Sequence, residues 1–142
     1  MDLRALLEEV VAAGVPHLVF SSTAAIYGAP TRVPIEEGDA KLPINPYGVS
    51  KWMTEQMLAD AARVHDFNYA ALRYFNVAGA DPKKRSGQSS PTASHLIKVA
   101  LLAALGRRPS VGIFGTDFST PDGTGVRDYI HVTDLVEAHA LM

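Results

Sequence analysis

Tyr47 and Lys51 stand just inside a segment opened by Asn45-Pro46. That opening predicts a helix: Asn caps it, and Pro suits the first helical position because its missing N–H would find no partner there. Residues four apart on a helix rise from one face, so both side chains reach one cleft. A free phenol titrates near pH 10, and bringing it to neutrality takes about 4 kcal/mol. A nearby ammonium, a bound pyridinium cation and the positive end of a helix could together supply that, and Tyr47 could then act as a general base toward a hydroxyl. The pair alone is a weak signal, since a chain with five tyrosines gives a YxxxK by chance readily. The plain alternative is a surface Tyr and Lys on an amphipathic helix.

The elements that must position this pair give it context. Leu3, Leu6, Leu7, Val10 and Val11 recur at helical spacing, and Gly14 stops that helix before the strand run His17-Leu18-Val19-Phe20. The strand leads into Ser21-Ser22-Thr23-Ala24-Ala25-Ile26-Tyr27-Gly28. Ligands of open α/β sheets bind beyond the carboxyl ends of strands, so Thr23 stands where a substrate oxygen would be met. Residues 28–45, rich in Pro, Gly and charge, read as a loop. The helix from Pro46 runs to Val64 or His65, and residues 69–77 (YAALRYFNV) read as a second buried strand closed by a turn at Gly79. Helix followed by strand, twice over, predicts a doubly wound parallel α/β sheet.

Further along, residues 83–90 are a polar loop, and Ser90-Pro91 predicts a third helix ending at Gly106. Residues 111–114 read as a short strand, a turn-rich stretch runs to Gly125, and residues 126–132 are extended. Thr133 is then the expected cap of a last helix, with Asp134 set well against its dipole.

Composition closes off other classes. With 47% apolar residues the chain has ample material for a core. Its net charge of -2 favours neither nucleic acid nor a membrane surface, and Lys83-Lys84-Arg85 and Arg107-Arg108 read as solvated loop and helix ends. The absence of cysteine removes disulfides and thiolate chemistry. The histidines at 17, 65, 95, 131 and 139 show no metal-ligand spacing, so no metal is expected. No apolar run approaches the roughly 20 residues needed to span a bilayer, and the N-terminal segment carries too much charge for a signal peptide. The default is a soluble cytoplasmic protein.

Four stretches together resemble a known family: FSSTAAIYG at 20–28, NPYGVSK at 45–51, LRYFN at 72–76 and GTGVRDYIHV at 123–132. In order and approximate spacing they are similar to the UDP-glucose 4-epimerases of the extended short-chain dehydrogenase/reductase superfamily, which have a Rossmann-like NAD-binding fold. The resemblance implies that Tyr47 takes the proton of the sugar 4-hydroxyl while the C4 hydride passes to NAD. Lys51 would bind the nicotinamide ribose and assist Tyr47, and Thr23 would hold the sugar O4. Ser21 and Ser22 would border the cofactor, as would the backbone at Tyr74 and Phe75. Asn76 and Arg127 would meet the substrate diphosphate, His95 and Leu96 the nucleotide, and Ile113 and Phe114 the uracil. His95 reads equally as a half-buried helix residue, and Phe114 as core packing. Relatives that eliminate water or carbon dioxide carry acids around the Thr position, where this chain has Ala24 and Ala25. A set of Tyr, Lys and Thr alone suits removal and return of a hydride at one carbon.

The family's GxxGxxG phosphate loop is not found in this sequence. The expectation is a partial domain, with residues 1–90 the catalytic half of the Rossmann-like domain and 91–142 the start of the nucleotide-sugar part with a return helix. Its N-terminal half and C-terminal substrate part are expected to be missing, so weak NAD affinity and little turnover are expected of the chain alone. Two alternatives stay open: a 4-epimerase of another UDP-sugar (UDP-xylose or UDP-N-acetylglucosamine), and a non-catalytic remnant that binds nucleotide or a partner. The resemblance also implies a homodimer formed through the Tyr/Lys helix, with Trp52, Met53, Met57 and Leu58 as its apolar surface, although core packing explains these side chains equally.

Overall fold

The computed structural model describes residues 3–92 and 94–142. Its chain forms two compact units. One runs from the N-terminus to Phe75 and takes in Glu137–Met142, and the other is Asn76–Val136.

In the first unit, helix α1 (Leu3–Ala12) buries Leu7 and Val10, as the spacing of its leucines and valines requires. Strand β1 (His17–Ser21) pairs in parallel with β2 (Asn68–Leu72), in a register that runs from His17 opposite Asn68 to Ser21 opposite Leu72. Between them comes a 3-10 turn at Ala24–Tyr27, which the sequence did not announce, and helix α2 (Pro46–Val64). Leu7 of α1, Leu58 of α2 and Phe67 form the buried centre, joined by Leu18, Phe20, Met57 and Tyr69. A second cluster under the 3-10 turn gathers Ala24, Ile26 and Tyr27 with Ile35 and Trp52.

In the second unit, β3 (Asn76–Ala78) pairs in parallel with β4 (Tyr129–His131). Helix α3 (Leu96–Ala104) lies between them in sequence. Helix α4 (Val132–Leu141) follows β4 directly, beginning in the second unit and ending in the first. Among the described residues no helix is long and apolar enough to cross a membrane.

Several expectations need correction. The run 69–77 is two strands in two sheets, not one, because it leaves the ladder after Leu72 and the Tyr74 carbonyl accepts from the Ala24 N–H at 3.1 Å. The third helix begins at Leu96 with His95 at its cap, rather than at Ser90-Pro91; Ala93 lies outside the described residues. Residues 111–114 form no strand. Thr133 sits inside α4, and its N–H bonds to His131 Nδ1 at 3.2 Å, so a side chain from the preceding strand takes the capping role.

Candidate active site

The site is assembled by local rules first. Thr23 caps the 3-10 turn in an extended conformation, its Oγ1 accepting from the Ala25 N–H at 3.2 Å. A hydroxyl that accepts one bond still has its proton to donate. Asn45 caps α2 through Oδ1, which accepts from the Gly48 N–H at 2.7 Å, and Pro46 occupies the first turn as expected. Gly48 then has a tertiary reason to be glycine. A Cβ there would lie 2.6 Å from the Ala25 carbonyl oxygen, so the first turn of α2 can press against the Thr23 turn only without a side chain. Gly28 closes the 3-10 turn at φ 66°, with the Leu42 carbonyl where a Cβ would be.

That contact brings the sequence-predicted residues together. Lys51 Nζ donates to the Ser21 carbonyl at 2.9 Å and lies 4.8 Å from the Phe20 ring centroid and 5.9 Å from that of Tyr47. An ammonium held over an aromatic face is stabilised by the ring quadrupole. Two of its three N–H donors remain for a ligand's hydroxyls. Tyr47 is 55% exposed and open to a ligand, whereas Thr23 is buried.

The side chains next to Thr23 have other partners. Ser21 Oγ lies 3.0 Å from His139 Nε2, and the His139 ring stands 6.4 Å from that of Tyr74. Ser22 is fully buried, and its hydroxyl donates to Glu55 Oε1. Phe75 is exposed and lines a pocket of about 430 Å³ with Tyr27, Glu55, Tyr69 and Arg73. Of the four apolar α2 residues considered for an interface, Leu58 is buried, Met57 and Trp52 are partly buried against the two core clusters, and Met53 is exposed.

Sequence reasoning missed Glu55, Arg73 and Tyr27. The buried Glu55 carboxylate takes the Arg73 guanidinium on both oxygens, with Nη2 to Oε2 at 2.6 Å, while Arg73 Nη1 reaches the Tyr27 hydroxyl at 2.8 Å. Hydrogen bonding to Glu55 holds the Arg73 proton more firmly than usual, against the opposing effect of burial. One signal was available: Tyr47, Lys51 and Glu55 recur every fourth residue along one helix face.

In the second unit, Asn76 opens β3 and its Nδ2 donates to the Asp128 carbonyl at 2.9 Å. His95 and Leu96 share with Asn76 a cleft of about 770 Å³, lined also by Tyr129, Val132 and the leucines of α3. His95 is exposed, not half-buried, and makes no side-chain cap bond. Ile113 and Phe114 do not line that cleft and are 72% and 98% exposed, which rules out core packing for Phe114. Arg127 is exposed, with Nη1 donating to the Val126 carbonyl at 2.8 Å.

Known proteins share both the sequence and this architecture. The chain is 62% identical to the UDP-glucose 4-epimerase of Azospirillum brasilense over 96% of its own length and 39% of that protein's. Among solved structures, the UDP-glucose 4-epimerase from Brucella ovis in complex with NAD matches with a TM-score of 0.91 at 47% identity, covering 98% of this chain and 43% of that one. The Bifidobacterium longum UDP-glucose 4-epimerase in complex with NAD+ and UDP matches at 0.89 and 38% identity, over 97% and 42%. The chain thus spans about two fifths of the length of these relatives, and the parallel strands joined through helices are the corresponding part of their NAD-binding fold. The NAD dependent epimerase/dehydratase family is matched by residues 2–142, a span that takes in every stretch discussed above rather than one motif, and the chain belongs to that family.

Proposed function

We propose that this chain carries the proton-transfer machinery of a UDP-glucose 4-epimerase, in which Tyr47 exchanges a proton with the 4-hydroxyl of a UDP-hexose. The observation that carries the reading is the Lys51 ammonium, held 5.9 Å from the Tyr47 ring centroid while bonded to the Ser21 carbonyl two residues before Thr23. That geometry supports Tyr47 as the base, Lys51 as the cation beside it, and Thr23 as the donor that would fix the reacting oxygen.

The donor set also fits NAD. Lys51 keeps two N–H groups for a ribose diol, and Tyr74 and Phe75 come after Arg73, just beyond the end of the strand beside β1. NAD, when bound, would supply the acceptor for the C4 hydride and return it to the opposite face. Ser21 and Ser22 would approach the cofactor through backbone groups, since their hydroxyls have internal partners. Ala24 and Ala25 offer no acid for elimination, in keeping with an isomerisation that ends where it began.

Residues 1–90 would be the catalytic half and 91–142 the start of the nucleotide-sugar part. Asn76, His95 and Leu96 would meet the diphosphate and nucleotide from one cleft, with Arg127 as a further anion partner and Ile113 and Phe114 against the uracil. The whole protein would work as a cytoplasmic homodimer in galactose metabolism. Replacing the matching segment of the Azospirillum brasilense epimerase by this chain tests the reading. UDP-galactose should still convert to UDP-glucose, and Tyr47→Phe in the hybrid should lower kcat by about 10²- to 10⁴-fold. A folded, NAD-loaded hybrid without turnover, or one indifferent to Tyr47→Phe, overturns it.

A further inference from the structure

Tyr47, Lys51 and Glu55 form one stripe along α2, and the last two meet successive residues of the turn after β1. Lys51 takes the Ser21 carbonyl, Glu55 takes the Ser22 hydroxyl, and the next residue is Thr23, whose Oγ1 caps the turn. Glu55 is 3% exposed and Ser22 1%, so this link is sealed from water. Arg73, just beyond β2, completes the carboxylate's shell with three bonds of 2.6 to 3.1 Å and extends to the Tyr27 hydroxyl and the Glu37 carbonyl. Among the described residues no buried side-chain polar atom lacks a partner.

A buried ion pair contributes little net stability compared with apolar side chains of the same volume, because desolvating two charges offsets their attraction. Stability alone therefore gives no reason for a charge pair at this position. What the pair does supply is direction. A carboxylate filled on both oxygens holds the Ser22 hydroxyl at one height along α2, and with it the Ser21 carbonyl and Thr23 on either side.

We propose that Glu55 and Arg73 are positioning residues, which through Ser22 lock the Ser21–Thr23 turn to the helix face bearing Tyr47 and Lys51. The inference rests on the reading of Tyr47, Lys51 and Thr23 as the reacting set. Loosening the lock should leave the helix and sheet formed but release Lys51 from the Ser21 carbonyl.

Competitive acetylation of the purified 142-residue chain, read lysine by lysine by mass spectrometry, reports this directly. Lys51 should label slowly relative to the exposed Lys83 and Lys84. Ser22→Ala and Glu55→Gln should each raise the Lys51 rate on the order of tenfold, the value of one charge-assisted hydrogen bond, and leave the other lysines unchanged. A role confined to stability would move the urea midpoint without moving the Lys51 rate relative to Lys83. If Glu55→Gln fails to fold, Ser22→Ala, which keeps the ion pair, decides. A folded Ser22→Ala chain whose Lys51 labels at the parent rate overturns the proposal. Because the labelling needs neither NAD nor a UDP-sugar, a failed epimerisation assay sinks the functional reading alone, and an unchanged Lys51 rate sinks this one alone.

Discussion

The two units solve the problem of holding ligand-facing residues in different ways. Up to Phe75 the proposed reacting residues stand on a packed frame. Leu7, Leu58 and Phe67 bury one side, Ala24, Ile26 and Tyr27 another, and hydrogen bonds from α2 fix the turn between them. From Asn76 to Val136 the buried hydrophobic residues among those described are Val99 and Leu135, and the candidate nucleotide contacts sit on loop backbone or at a helix start. Polar turns supply the local order instead: Asp81 binds Arg85 and the Lys83 N–H, and Asp122 binds the Thr124 N–H and hydroxyl. The contrast suits the proposed chemistry. Proton transfer needs positions fixed within a fraction of an ångström, whereas a nucleotide held by several separate contacts tolerates a looser frame.

The comparison can be broken most sharply at the leucines. Leu58→Ala in the packed unit should cost about 3 kcal/mol, as expected for a fully buried leucine. Leu101→Ala on the exposed face of α3 should cost about 0.5 kcal/mol or less. Equal shifts in urea midpoint for the two would show that the frames do not differ. Next comes Gly48→Ala, which forces a Cβ against the Ala25 carbonyl and should cost about 1 to 3 kcal/mol through overpacking. Nuclear magnetic resonance shift changes should centre on residues 22–28 and 45–51; a neutral Gly48→Ala would mean that the two turns can separate freely.

A smaller effect is expected from Asn45→Ala, which removes the α2 cap and should cost about 1 kcal/mol by urea unfolding. No change would place the start of α2 under tertiary control alone. The smallest and most local effect is on acid stability. The Arg85 side chain holds the Asp81 carboxyl below its usual range, and the Thr124 backbone N–H does so for Asp122. Both groups are lowered on folding, so the unfolded chain takes up their protons first. Their contribution is complete above about pH 5 and drains as pH falls through the ordinary carboxylate range near 4. Asp122→Asn should flatten part of the fall in urea midpoint between about pH 5 and pH 3. An unchanged pH profile would show that these turns do not order the second unit.

Much of the site was legible because its rules are local. Asn45-Pro46 announces the start of α2 and the spacing of Tyr47 and Lys51 puts them on one face, whatever the rest of the chain does. Burial was not legible in the same way. Beyond its place on the Tyr47–Lys51 face, nothing local distinguishes Glu55 from a solvated helix glutamate, since its partners Ser22 and Arg73 lie 33 and 18 residues away in sequence. For Phe114 it was the core-packing alternative to a uracil contact that failed, since the ring is almost fully exposed.

By itself, then, the sequence determined α1, β1 and α2, the parallel class of the sheet, and the motif set that carries the family, because periodicity, caps and motif spacing depend on neighbours along the chain. Tertiary structure decided where residues 69–77 divide, why Gly48 lacks a side chain, which hydroxyl faces inward and where α3 and α4 begin. Each of those depends on a partner brought near by folding. The Tyr74 carbonyl leaves the ladder for the Ala24 N–H, and Ser22 turns toward a charge pair, because a buried polar group must find its hydrogen bond wherever the fold provides one.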